Sequence, residues 1–90
     1  MNARIKITYK KLGRENVYGH ADSYPLEVDS RLKGKKKLEI IIHESLHYLF
    51  PDLNEKQITD KAVRLTKTLW HEGYRFTDNK ESEKLQDGSK

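Results

Sequence analysis

Cysteine is absent from this 90-residue sequence, proline occurs only twice, and there is no long apolar run. The lack of cysteine excludes disulfides, thiolate metal ligands and a cysteine nucleophile, so His, Asp and Glu are the strong metal ligands that remain. The longest aliphatic run, residues 40–42, is far too short to span a bilayer, and the amino terminus lacks the apolar segment of a secretory signal. We therefore expect a soluble, cytoplasmic protein without a membrane partner.

Apolar residues are also scarce, at 34% of the chain, so the core of a single 90-residue domain must be thin. We assign residues 1–76 to that domain and the polar residues 77–90 to a disordered tail. The net charge is +4, and four lysines crowd residues 33–37. Such a stretch could meet phosphate or an acidic peptide, but no aromatic residue interleaves it, so a solvated loop is favoured over a nucleic-acid contact.

Alternating apolar and polar residues predict three short strands in the first third of the chain. Residues 4–10 alternate, with Ile5, Ile7 and Tyr9 on one side. A turn and a weaker alternating segment at residues 17–22 predict a strand that pairs back as a hairpin. The third strand covers residues 24–29, where the missing amide of Pro25 predicts an edge or an irregular position. These segments predict a three-stranded antiparallel sheet.

Two helices are predicted in the second half of the chain. Apolar residues recur at spacings of three and four over residues 36–50, and Pro51 ends that helix. Asn54 and Gln57 have the spacing of a capping box, which predicts the start of a second helix, and Gly73 is a natural C-cap. The expected fold class is therefore α+β, a small antiparallel sheet followed by two antiparallel helices.

The first predicted helix contains His43, Glu44 and His47 in the spacing H-E-x-x-H. Histidines four residues apart share one helix face, so both imidazoles can bind one tetrahedral ion, while Glu44 lies close enough to take a proton from water. Glu44 is the only charged residue between Ile40 and Phe50, so the helix should be buried. Burying these polar groups without partners is costly, and one cation would satisfy all three. Hydrogen-bonded core histidines are the alternative.

The segment Ile-Ile-Ile-His-Glu-Ser-Leu-His-Tyr-Leu at residues 40–49 resembles the zinc-binding helix of zincin metallopeptidases, in which uncharged residues surround the two histidines. This resemblance implies a zinc-dependent peptide hydrolase with Zn²⁺ as cofactor and a peptide or protein as substrate. It implies His43 and His47 as ligands and Glu44 as the general base. A later histidine as third ligand would make the site metzincin-like, and an acid on the next helix would make it gluzincin-like.

Helix geometry distinguishes the candidates for the third ligand. In an antiparallel helix pair, His71 lies about 15 Å too far from the connection to meet the motif histidines. Asp60 has a suitable depth but points away from the apolar stripe of its helix, whereas Glu55 points inward. We therefore predict Glu55 as the third ligand, in a gluzincin-like set. An acid in the first turn is also favoured by the helix dipole alone, which is the competing interpretation.

A peptidase also needs a strand on which its substrate can lie and a donor to the developing oxyanion. We expect residues 24–29 to be that strand, and His20, Tyr48 and Tyr74 are the candidate donors. The alternative function is an inert zinc-stapled module that binds an acidic protein or nucleic acid, and a fourth protein ligand such as His20 would favour it. A metal-free basic helper protein is a third interpretation. So small a domain could also need an accessory protein to complete its substrate-binding groove.

Overall fold

The computed structural model describes residues 4–13 and 18–77 of the chain. In these ranges the elements follow in the order β1 (Ile7–Lys10), β2 (Gly19–His20), β3 (Leu26–Asp29), α1 (Gly34–Leu49) and α2 (Glu55–His71). The predicted α+β class, a small sheet followed by two helices, is confirmed. Residues 78–90 of the predicted disordered tail lie outside the described residues. No helix of the described ranges is both long enough and apolar enough to cross a membrane.

The sheet is mixed, so the prediction of a purely antiparallel sheet was wrong. β3 is the central strand, with β1 parallel to it on one side and β2 antiparallel to it on the other. The connection at residues 11–18 is much longer than a tight hairpin turn requires, so the first two strands need not be neighbours. Of the two positions expected for the third strand, an edge or an irregular one, the edge position was wrong, because β3 is central. Pro25 precedes β3, which begins at Leu26, and its missing N–H therefore removes no ladder hydrogen bond.

A thin core lies between the sheet and the helices. Leu26 and Val28 of β3 are completely buried, as are Ile58 and Ala62 of α2, and Ile40 of α1 is 7% exposed. The four-residue spacing of Ile58 and Ala62 directs both to the same helix face. These five residues form the buried apolar core of the described ranges, which agrees with the small apolar fraction of the sequence.

The start of α2 is defined by a capping box, as the sequence predicts. The Asn54 side chain accepts a hydrogen bond from the Gln57 N–H at 2.8 Å, and the Gln57 side chain accepts one from the Asn54 N–H at 2.9 Å. At the other end, Gly73 has a φ of +98°, and its N–H donates to the Trp70 carbonyl at 3.1 Å. The capping box makes Glu55 the first residue of α2.

Candidate metal centre

Three side chains that can ligate a metal meet at the junction of α1 and α2. His43 Nε2 lies 3.0 Å from Glu55 Oε2, and His47 Nε2 lies 2.8 Å from Glu55 Oε1. One ligand atom from each of the three residues lies within 4.8 Å of the other two. The predicted proximity of Glu55 to the motif histidines is therefore confirmed, and the three residues could hold a metal ion. The role of Glu55 as a ligand stays a prediction.

Two local features of the sequence bring this group together. His43 and His47 are one turn apart on α1, and their ring centroids are 4.9 Å apart. Pro51 follows the end of α1, and the capping box then starts α2 at Glu55, which places this residue opposite the last turns of α1. The seven residues between His47 and Glu55 are therefore enough for the chain to reverse direction. The side chains of His43, His47 and Glu55 are 14%, 29% and 69% exposed, so the group opens to solvent.

The donor set fits a small divalent cation. Two imidazole nitrogens and a carboxylate are ligands that zinc commonly takes, and in a tetrahedral site with bonds of about 2.0–2.1 Å such atoms lie about 3.3 Å apart. In the structure each imidazole nitrogen meets a different Glu55 oxygen, at 3.0 and 2.8 Å, and one ligand atom from each residue lies within 4.8 Å of the other two. The three side chains would therefore have to draw closer together around an ion. Although partial burial opposes it, the His47 hydrogen bond and the charges of both histidines hold the pKa of Glu55 below its ordinary value. The carboxylate is therefore ionised at neutral pH.

Glu44 is buried between α1 and β2, with 9% of its surface exposed. This burial raises the pKa of its carboxyl above the ordinary value, and the charges of His43 and His47 partly oppose the shift. Glu44 lines a cavity of about 660 Å³ together with the three residues of the candidate metal centre. Residues 18–22 of β2 and its flanks form another wall of this cavity. A molecule in the cavity would therefore touch both Glu44 and the metal centre.

Gly19 is a site residue that the sequence analysis did not identify. A Cβ added at Gly19 would lie 2.7 Å from Glu44 Cγ and 2.9 Å from Glu44 Oε2. The backbone of β2 therefore approaches the glutamate more closely than a larger residue permits. An isolated glycine in a weakly alternating segment is the signal that could have revealed this close approach.

The three candidate oxyanion donors lie in different places. Of these, His20 alone lines the cavity, and its Nδ1 lies 3.2 Å from Glu27 Oε1. Because neighbouring strand residues point to opposite faces and Gly19 faces Glu44, the His20 ring lies on the opposite face of the sheet. Tyr48 stacks on another tyrosine with ring centroids 5.0 Å apart, and Tyr74 follows the distant end of α2. The structure thus brings neither tyrosine to the cavity.

The predicted docking strand must also be corrected. β3 has a partner on both sides, so its backbone is not open to a substrate, whereas β2 is an edge strand in the described part of the chain. The Asp29 N–H donates to the Tyr18 carbonyl at 2.8 Å, which makes these two residues a hydrogen-bonded pair and their neighbours Gly19 and Val28 a non-hydrogen-bonded pair. The N–H and C=O of Gly19 therefore point away from β3, toward the open edge.

Comparison with known proteins adds no family to this description. No protein-family model, no curated protein and no solved structure matches the chain. The function must therefore be argued from the chemistry of the site.

Proposed function

We propose that this chain is a minimal zinc-dependent metallopeptidase with a gluzincin-like ligand set. The observation that carries the proposal is the position of Glu55, whose two carboxylate oxygens lie 3.0 and 2.8 Å from Nε2 of His43 and His47. A carboxylate from a second helix completes the two-histidine motif, and Glu44 lies beside it in the same cavity. Two histidines and a glutamate are one ligand set of catalytic zinc sites, and a separate glutamate can serve such a site as general base.

The proposed mechanism divides the work between the ligands and Glu44. His43, His47 and Glu55 would hold the zinc, which would act as a Lewis acid and make a nearby water more acidic. Glu44 accepts a proton from the attacking water and donates it to the amine that leaves. Among the three candidate oxyanion donors His20 alone lines the cavity, but its ring lies beside Glu27 and would have to turn to reach an oxyanion there.

The edge of β2 is the proposed docking site for an extended peptide. An extended chain pairs with a free strand edge through main-chain hydrogen bonds, and the outward N–H and C=O of Gly19 offer one donor and one acceptor. Since Gly19 also lies against Glu44, a peptide paired at this position passes next to the general base. The substrate class is therefore an unfolded or flexible peptide segment.

The number of ligands favours the enzyme over an inert zinc-stapled module. Among residues 4–13 and 18–77, the group that could hold a metal consists of three residues, His43, His47 and Glu55. Structural zinc sites are closed by four protein ligands, whereas catalytic sites keep one position for water. The His20 ring, which would have to close the site, lies beside Glu27 instead.

Zinc content and peptide hydrolysis test the proposal together. Protein purified without added metal is expected to contain one zinc per chain and to hydrolyse a mixture of flexible peptides, and a chelator should abolish both properties. Glu44→Gln should retain zinc but lose activity by about 100-fold or more, because the proton acceptor is removed. Glu39→Gln on the same helix is the matched control and should keep full activity. Full hydrolysis by zinc-loaded Glu44→Gln would refute the mechanism.

A further inference from the structure

The contact between β2 and α1 is closest at Gly19. The three atoms nearest to a Cβ added there would be Glu44 Cγ at 2.7 Å, Glu44 Oε2 at 2.9 Å and Ile40 Cγ2 at 3.0 Å. Carbon atoms in favourable contact lie at about 3.5–4.0 Å, so Glu44 or the strand would have to move by about 0.8 Å to admit a methyl group. The hydrogen atom of Gly19 is therefore what allows the strand to lie against the glutamate side chain.

Space, rather than backbone conformation, explains glycine at this position. Gly13, Gly34 and Gly73 have φ values of +77°, +56° and +98°, which disfavour other residues, but Gly19 is not among the positive-φ glycines. As a strand residue opposite Val28, it adopts a conformation open to any residue. The requirement for glycine at position 19 therefore comes from the neighbouring Glu44 side chain.

We propose that Gly19 is a positioning residue of the site, whose missing side chain lets the β2 backbone hold Glu44 beside the metal-binding histidines. This inference rests on the proposed function. Gly19 forms one wall against which the Glu44 side chain packs, and α1 forms the other. A methyl group on that wall displaces the carboxylate from the position in which it meets the attacking water. The same methyl group pushes the docking edge of β2 away from the base.

The first test is the kinetics of zinc-loaded Gly19→Ala. A displacement of about 1 Å can lower the rate by about 100-fold, so we expect kcat to fall by about ten- to 100-fold, with a smaller change in KM. Zinc affinity should stay within about twofold, because the nearest atoms belong to Glu44 and Ile40 and not to a ligand. Gly13→Ala is the matched control. It introduces strain at a positive φ, and no atom of the described residues lies within 4 Å of the new Cβ, so it should lower stability without lowering kcat.

The second test does not depend on activity. Glu44→Ala removes Cγ and the carboxylate, which relieves the two shortest contacts and leaves Ile40 Cγ2 at 3.0 Å from the new methyl group. Gly19→Ala should therefore lower the urea midpoint clearly less in the Glu44→Ala background than in the wild-type background. The double variant keeps this comparison possible even if Gly19→Ala alone does not fold. Equal loss of stability in both backgrounds would overturn the inference.

The two tests also separate this inference from the proposed function. If the wild-type protein binds zinc but hydrolyses no peptide while the stability coupling is found, the proposed function fails and the packing of Gly19 against Glu44 stands. If the wild type is active and Gly19→Ala keeps the wild-type kcat, the positioning role is wrong and the peptidase stands.

Discussion

Replacing Glu55 with alanine tests whether Glu55 is a metal ligand or only stabilises the start of its helix. Its carboxylate lies within 3.0 Å of both motif histidines, but its side chain is 69% exposed, so solvent screens these ion pairs to about 0–1 kcal/mol. Its position in the first turn of α2 adds about 0.3–1 kcal/mol through the helix dipole. Both interpretations therefore predict that metal-free Glu55→Ala loses about 1 kcal/mol, a fall in Tm of about 4–8 °C.

Zinc makes the two interpretations differ. Free zinc at 100 times the Kd stabilises the wild type by about 2.7 kcal/mol and should raise its Tm by roughly 10–20 °C. Even outer-shell groups change metal affinity by 10–100-fold, so losing a ligand should weaken binding by about 100-fold or more. The same zinc concentration then stabilises Glu55→Ala by only about 0.4 kcal/mol, which raises Tm by about 2–3 °C.

Thermal unfolding with and without zinc, after treatment with a chelator, measures this difference. Asp60→Ala is the matched control, because Asp60 is an acidic residue of the same helix that lies outside the metal-binding group. It should keep the full zinc-dependent rise in Tm. An equal rise in the wild type and in Glu55→Ala would refute the ligand assignment and leave Glu55 with its helix-terminal role.

Two further predictions concern the capping box of α2 and the buried carboxylate of Asp29. Asn54→Ala removes the capping box, so we expect thermal unfolding to show a loss of about 1 kcal/mol in the free energy of unfolding. Titration with zinc should show weaker binding as well. An unchanged zinc affinity would contradict the prediction that the cap positions the site. Hydrogen bonds from the Arg31 side chain and backbone hold the pKa of Asp29 well below its usual range. This stabilisation is complete above the unfolded-state pKa and is lost as the pH falls through the lower folded-state pKa. Lowering the pH should therefore destabilise the wild type more than Asp29→Asn. Parallel curves of unfolding free energy against pH for the two proteins would contradict this prediction.

Local signals explain why the helices and the proximity of His43, His47 and Glu55 were predictable from the sequence. The capping box at Asn54 depends on residues three apart, and the H-E-x-x-H spacing places His43 and His47 on one face by helix geometry alone. Once α2 begins at a known residue, the short connection restricts which acid can face the histidines. The position of Glu55 beside the two histidines could therefore be predicted without any information on tertiary contacts.

The sheet could not be predicted in the same way, because strand pairing depends on tertiary contacts. β2 has two residues, and its alternation contains too little information to select a partner or a direction. Pro25 predicts an edge or an irregular strand, but it lies just outside β3, where its missing N–H removes no ladder hydrogen bond. The role of Gly19 was missed for the same reason, since its contact with Glu44 arises only when β2 packs on α1.

The burial of Glu44 is the feature that a purely structural interpretation of this helix explains least well. The core is thin, and an apolar side chain in this position would add to it, whereas a carboxylate that is 9% exposed weakens it. Its raised pKa, caused mainly by burial, has the same physical origin as this penalty. A divalent cation held by the neighbouring His43, His47 and Glu55 would offset the penalty by attracting the carboxylate. The burial of Glu44 therefore agrees with the base that we propose, and the absence of a side chain at Gly19 leaves room for it.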